Sequence, residues 1–328
     1  MIRRLQTLTW AGTDPYENLA LEECLRRRVE EGTCILYLWQ NRPTVVIGRN
    51  QNPWQECRSG ALRSDGVLLA RRPSGGGAVY HDLGNQNFSF LVNEADYSVK
   101  KQLSVVVEAC RSLGIPAEIS GRNDVLAEGR KFSGNAFLTH QGRCCHHGTL
   151  LVDADLEALG RYLSPSPAKL RAKGVASVRS RVVNLRQLRE GLGVEQIRES
   201  MVEAFQTVYG LEAEALDARS LPWGEIGDLA ERNRSWEWLW GRQLPCTLQW
   251  AERFGWGELT IQLEAEGGVV RRAAVYTDAM DWTLSSALEG ALTGCRLSGS
   301  DLARAVADLD LAAEVKADVL SLLEGQEI

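Results

Sequence analysis

The chain has 328 residues, 44% of them hydrophobic and 24% charged, which excludes a disordered polymer and allows one large core with a smaller one beside it. Its net charge of −6 excludes nucleic-acid binding by bulk electrostatics, so any anion site must be a local concentration of positive charge. MIRRLQTLTW has no apolar signal core and no later run approaches about 18 apolar residues, so neither export nor a membrane span is expected, and a cytoplasmic location is.

In chain order, the first helix is predicted over residues 13–31. Thr13 or Asp14 can cap it, Pro15 suits its first turn, and Leu19, Leu21, Cys24, Leu25 and Val29 supply its apolar positions. Cys34 to Trp39 and Thr44 to Ile47 read as strands, the second ending on Gly48 and Arg49. That arginine has two readings, a solvated exit residue or a side chain turned into a cleft. Val67 to Ala70 then leads into RRPSGGGAVY, where Gly75, Gly76 and Gly77 follow Arg71, Arg72 and Ser74. Glycine triplets appear where backbone turns sharply or approaches a ligand closely, and their N–H groups can converge on an anion. Arg71 and Arg72 add fork-shaped charge suited to phosphate or carboxylate.

A strand-like segment, Ala78 to Tyr80, follows the glycines where a dinucleotide or P-loop site needs a helix, and neither GxGxxG nor GxxxxGK[ST] is present. With Asn87 to Val92 alternating again, a mixed or antiparallel sheet is expected without regular βαβ crossovers. A helix is predicted from about Ser98 to Leu113, closed by Gly114. GRND (Gly121 to Asp124), a short strand and the turn Glu128-Gly129 then lead to RKFSG, a hairpin whose outgoing strand should carry Lys131 and Ser133 on one face and Phe132 on the other. A strand lysine followed by Ser-Gly and close to an Asn-Asp pair is a candidate for an inward-facing catalytic charge rather than an exposed edge residue.

Eight cysteines are present, none spaced as CxxC, which fits reduced thiols in the cytosol. Cys144-Cys145-His146-His147 looks metal-like, but neighbours on a strand point to opposite faces, so the four do not share one tetrahedral site. From Arg161 to Arg189 there are eight basic residues and no acidic one; Gly, Ala, Ser and Val within KGVASVRSRVVNL give this run the character of a mobile lid over an anionic group. An amphipathic helix is predicted over Val194 to Tyr209. The pattern then loosens through Asp217 to Asn233 before SWEW, and a small α+β domain is expected from about residue 246.

NPWQE, RRPSGGGAVYHDLGN, GRND, RKFSG, HHGTLL, AKGVASVRSRVVNL and SWEW, in this order, closely resemble bacterial lipoate–protein ligase A over nearly the whole chain. The resemblance implies an α+β fold shared with biotin ligases, mixed β-sheets flanked by helices over residues 1–242, and a small α+β accessory domain over 246–328. It implies an enzyme that activates lipoate with ATP and Mg2+ to lipoyl-AMP. The lipoyl group then passes to a lysine of an E2 lipoyl domain of a 2-oxo-acid dehydrogenase, or of the glycine-cleavage H protein. Neither nucleic acid nor membrane is implied as a partner.

By the same resemblance Lys131 is the catalytic lysine. Arg72, Ser74, Gly76, Gly77, Ala78, Val79 and Tyr80 form the loop that contacts ATP and the adenylate. Asn123 and Asp124 lie near the nucleotide, with Asp124 as the Mg2+ ligand, and His147 lines the site. Lys173 to Asn184, with Ser177, Arg179 and Arg181, matches the adenylate-binding loop. One departure is the six-residue hairpin Val125 to Arg130, shorter than in the best-known members. The alternative is an ATP-independent octanoyl or lipoyl transferase on the same fold, which passes the acyl group through a cysteine thiolate. Yet no cysteine falls between Cys145 and Cys246, and the loop after HHGTLL reads only LSPSPAKL. A non-catalytic lipoyl-domain binder is opposed by intact Lys131, Arg72 and glycines. Biotin as substrate is opposed by the absence of the biotin ligases' glycine–arginine signature.

Overall fold

The structure, a computed structural model, describes residues 1–121, 123–164, 182–241 and 248–326. Alternating and continuous apolar runs make the strands of its main sheet. These are β1 (Arg4–Thr9), β2 (Thr33–Trp39), then, after β3 (Thr44–Ile47), β4 (Leu68–Arg71) and β5 (Val79–His81) of a smaller sheet, β6 (Asn85–Asn93), β7 (Ala117–Ser120), β8 (Asp124–Ala127), β9 (Arg130–His140), β10 (Arg143–Leu151) and β11 (Ala213–Ala215). Spatial order in the main sheet is β11-β1-β2-β6-β10-β9-β8-β7. β1 runs parallel to β2 and β11, and the other pairs are antiparallel, three of them, β7–β8, β8–β9 and β9–β10, joined by brief turns. The smaller sheet has the order β4-β3-β5.

Helices cover both faces of the main sheet. On one face Val99–Ser112 and Val194–Tyr209 pack with Phe88, Phe90 and Phe132 in a single cluster. The Ser98 side chain caps the first of these helices, and a left-handed Gly210 ends the second. On the opposite face the helix Pro15–Arg28, capped by Asp14 with Pro15 in its first turn, packs against a second helix, Trp223–Arg234. Ile226, Leu229 and Ala230 of that second helix join Leu19, Leu21 and Leu25 in the core. The sequence reading left 217–233 without an element, because a short helix with so few apolar positions has a weak periodic signal.

A C-terminal domain has its own core, in which the helices Leu284–Leu292, Gly299–Ala307 and Ala313–Glu324 pack on an antiparallel sheet, β12 (Leu248–Phe254), β13 (Gly257–Glu266) and β14 (Val269–Thr277). Among the described residues, no helix is long and apolar enough to cross a membrane.

Arg71 binds these parts together. It is only 2% exposed, and its guanidinium donates to the carbonyls of Gly48, Arg49 and Gln51 in the turn after β3. It also donates to Trp238 and Leu239 in the SWEW segment. The expected free cation beside a ligand is therefore a structural cross-tie, since every nitrogen of its guanidinium is engaged by buried backbone carbonyls. Arg49 likewise lies not in the cleft but between the Trp238 and Trp282 rings, at 5.6 and 5.2 Å.

Replacing Arg71 by Met keeps the length and removes the donors, leaving several carbonyls buried without partners. The expected cost is about 3 kcal/mol or more in urea unfolding. A loss below about 1 kcal/mol would contradict this role.

Candidate active site

A cavity of about 520 Å³ opens where β5, β6, β9 and β10 meet the glycine loop and the C-terminal domain. That volume suits a small organic ligand. Its apolar wall is made by Leu19, Trp39, Val46, Val79 and Ala136, and its polar wall by Arg72, Asn123, Asp124, Lys131 and His147. Arg253, Trp256, Asp278 and Met280 close it from the C-terminal domain. The sequence reading missed those four together with β12, because LQWAERF has no clean alternation.

Lys131 is held by a bulge. β8 and β9 pair Val125 with Ser133 but Leu126 with Lys131, so Phe132 is the extra residue on β9. The extra residue reverses the parity of the strand. Lys131 and Gly134 line the cavity and Phe132 is fully buried, whereas Ser133 is buried away from the cavity. The expected shared face of Lys131 and Ser133 is thereby corrected. The ammonium lies 2.6 Å from Asp124. Gly134 makes room for it, because a Cβ at that position would stand 2.9 Å from Nζ. Asn123, exchanging hydrogen bonds with Asn135 across the strand pair, fixes the turn that presents Asp124.

The glycine loop is built differently from expectation. Arg72 is 7% exposed and donates to Gly75 and Gly77 carbonyls at 2.8 Å, to Val46 at 3.3 Å and to Ser74 Oγ at 3.2 Å. Burial pushes its pKa down to about 10, opposed by the charge of Glu22. The Gly76 N–H, expected to face an anion, donates to the Ala279 carbonyl of the C-terminal domain at 3.0 Å. Gly75 is obligatory for that approach, since a Cβ would lie 2.5 Å from the same oxygen.

The structure brings Arg72, Gly76, Gly77, Ala78, Val79, Asn123, Asp124, Lys131 and His147 to one cavity. Ser74 is buried behind it. Tyr80 points the other way along β5 and packs against Tyr162 with ring centroids 5.5 Å apart, so neither reaches the cavity wall. Ser177, Arg179, Arg181 and the rest of the expected lid through residue 181 lie outside the described residues.

Two residues not singled out from sequence join the site. His81 lines the cavity, and its Nδ1 faces the Asn41 amide at 3.1 Å. Its Nε2 is buried with no hydrogen-bond partner among the described residues. Glu22, 2% exposed, accepts from His147 Nδ1 at 2.9 and 3.0 Å and from Ser89 Oγ. Burial raises its pKa, but its interactions with His147, Ser89 and Cys145 outweigh that and hold the carboxyl below its usual range. Glu22, Cys145 and His147 offer ligand atoms within 4.8 Å of one another. A metal there would need a thiolate, and burial with the Glu22 charge pushes the Cys145 thiol far up. His146 faces the opposite side, between the Gln102 and Asn135 amides, so the adjacent histidines are separated as the strand alternation required. Among the described residues no cysteine lines the cavity.

Residues 14–206 match the family model of the lipoyl protein ligase A/B catalytic domain, and residues 244–323 that of the bacterial lipoate protein ligase C-terminus. Among solved structures, P. falciparum LipL1 in complex with lipoate is 26% identical with a TM-score of 0.85, covering 97% of this chain and 99% of that one. A bipartite lipoate protein ligase from Thermoplasma acidophilum, described with its E2 lipoyl domain, is 27% identical with a TM-score of 0.63, covering 76% and 100%. A lipoate-protein ligase A bound with ATP is 26% identical with a TM-score of 0.61, covering 74% and 99%.

His81 and His146 generate a stability prediction. Burial first, then the neighbouring Arg72 for His81 and the neighbouring His147 for His146, pushes each pKa down to about 3 from 6.5. The unfolded chain takes these protons near 6.5 and the folded chain does not, so stability is full above that pH and falls as acid is added. Each histidine contributes a slope of about 1.4 kcal/mol per pH unit within this window. Urea unfolding between pH 6 and 4.5 should show His146→Gln lowering the slope by about that amount; an unchanged slope would contradict it.

Proposed function

The chain belongs to the lipoyl protein ligase A/B catalytic-domain family and is an enzyme, and from that premise we propose that it joins lipoate to protein in two steps driven by ATP. In the first, a lipoate carboxylate oxygen attacks the α-phosphorus of ATP, forming lipoyl-AMP as pyrophosphate leaves. In the second, a lysine amine of the acceptor attacks the acyl carbon, an amide forms, and AMP leaves as the nitrogen loses its proton. The acceptors proposed are E2 lipoyl domains and the glycine-cleavage H protein. The T. acidophilum ligase described with its E2 lipoyl domain supports the first of these.

The observation that carries this reading is the placement of Lys131. Its ammonium stands in the cavity wall, between an apolar slot and the Asn123–Asp124 turn, with Asp124 at 2.6 Å. A carboxylate is a poor electrophile at neutral pH and must become a mixed anhydride before an amine displaces oxygen. Making the anhydride brings two anions together, and a fixed cation at the meeting point offsets their repulsion where water is excluded. Leu19, Trp39, Val46 and Val79 suit the hydrocarbon chain and ring of lipoate; the polar side suits the phosphates. Arg72 contributes by holding the loop carbonyls toward itself, which shapes the cavity edge.

Asp124, 36% exposed, has the chemistry for Mg2+, which binds through one or two carboxylates together with substrate phosphates. When bound there, the ion would neutralise phosphate charge. The ATP-independent transferase is disfavoured because that chemistry needs a thiolate at the acyl group. The described cysteines lie outside the cavity, and burial pushes the thiols of Cys34, Cys57 and Cys110 up to about 12.

Lys131→Ala should lower lipoate-dependent ATP–pyrophosphate exchange by about a hundredfold or more, with an unchanged melting temperature. Near-normal exchange in that variant would remove the mechanism.

A further inference from the structure

We propose that Glu22 is a positioning residue for the activation step, acting through His147 and Ser74 to hold Arg72 and the glycine loop in their working geometry. The proposal rests on the activation reading above for its kinetic arm and on geometry alone for its spectroscopic arm.

Four buried side chains form one chain of hydrogen bonds. Arg72 Nε donates to Ser74 Oγ at 3.2 Å, Ser74 Oγ meets His147 Nε2 at 2.6 Å, and His147 Nδ1 meets the Glu22 carboxylate at 2.9 and 3.0 Å. All four residues are less than 10% exposed. The donors can be assigned from chemistry. An ionised carboxylate only accepts, so His147 Nδ1 carries the hydrogen. In a neutral ring whose one hydrogen is on Nδ1, Nε2 can only accept, so the Ser74 hydroxyl gives its hydrogen to Nε2. Every bond then runs the same way, from guanidinium to carboxylate, and linked bonds of one polarity strengthen one another in a low-dielectric interior. Buried Arg72 and buried Glu22 are thus each other's counter-charge across a neutral bridge, and Glu22 is the charge that opposes the burial shift on Arg72.

A carboxylate, a histidine and a serine in this order also suggest a nucleophilic triad. The geometry rejects that reading. Ser74 does not line the cavity, and Arg72 occupies its oxygen. The chain instead decides where the loop sits. Ser74 opens the glycine run and its carbonyl accepts from Arg49 N, while Arg72 holds Gly75 and Gly77. Glu22 does not itself line the cavity, so its influence on catalysis must pass through the chain.

The spectroscopic arm uses 15N-labelled histidine in the full-length protein, which has only four histidines. Wild-type His147 should show hydrogen on Nδ1 and an unprotonated Nε2; Glu22→Gln should shift that ring toward hydrogen on Nε2, because an amide can offer a hydrogen where a carboxylate cannot. The kinetic arm compares Glu22→Gln, Ser74→Ala and the double variant in lipoate-dependent ATP–pyrophosphate exchange. Each single variant should lose about tenfold or more in kcat with KM for lipoate within about threefold, and the double should be no worse than the poorer single. Glu22→Asp should recover part of the loss. Hydrogen on Nε2 in the wild type, or losses that multiply in the double variant, would overturn the proposal. Should Glu22→Gln fail to fold, the wild-type ring and Ser74→Ala still decide. A wild-type enzyme with no lipoate-dependent exchange would sink the activation reading, and the ring nitrogens would still test Glu22.

Discussion

The guanidinium of Arg72 turns back on its own chain, gathers the carbonyls of Gly75 and Gly77, and leans on Ser74, while Arg71 beside it reaches the other way to five carbonyls of two further segments. A glycine triplet has no side chains of its own to define a shape, and its conformational entropy opposes any single arrangement. The two adjacent arginines supply what the glycines lack. One ties the loop to itself and the other ties its base to the β3 turn and the SWEW segment. The cavity edge can then be narrow and fixed at once.

Within that frame the reactive charge is a single ammonium. Two neighbouring cations are consumed by backbone and Arg253 stands against Glu258 and Asp278, so among the described residues the positive charge facing the Asn123–Asp124 turn is that of Lys131, held against Asp124 by an irregular β9. A regular strand would place Lys131 on one face with Ser133 and leave Gly134 on the other. With Phe132 as the inserted residue, lysine and glycine share the cavity side, and the glycine provides the space in which the ammonium lies. The bulge therefore couples core packing, through fully buried Phe132, to the placement of the chemistry.

Much of this was legible in the sequence. Asp14-Pro15, Ser98 and Gly210 marked helix ends, and apolar alternation marked β2, β3 and β6. The family resemblance pointed to Lys131, Asp124 and His147, which the fold brings together. The failures have physical causes. Arg71 looked like a free cation because sequence does not reveal that five carbonyls from distant segments converge on it. Glu22 drew no reading, since it sits among charged residues in ENLALEECLRRR; the helix is covered on one side by the sheet and on the other by Trp223–Arg234, a weakly apolar segment whose burial the sequence does not announce. Ser74 and Tyr80 belong to the right motif but point away, because alternate residues of a loop and strand cannot all face one side.

The contact between Gly76 N–H and the Ala279 carbonyl has a consequence of its own. The backbone of the C-terminal domain fills the position a ligand oxygen would take on that amide, so the two compete for one donor. Occupation of the subsite is then a substitution, one acceptor displacing another, and its free energy is the difference between two similar hydrogen bonds rather than the whole of either. A Gly76 amide saturated in this way is not left open to solvent, and a ligand oxygen reaches it only by displacing a neutral carbonyl.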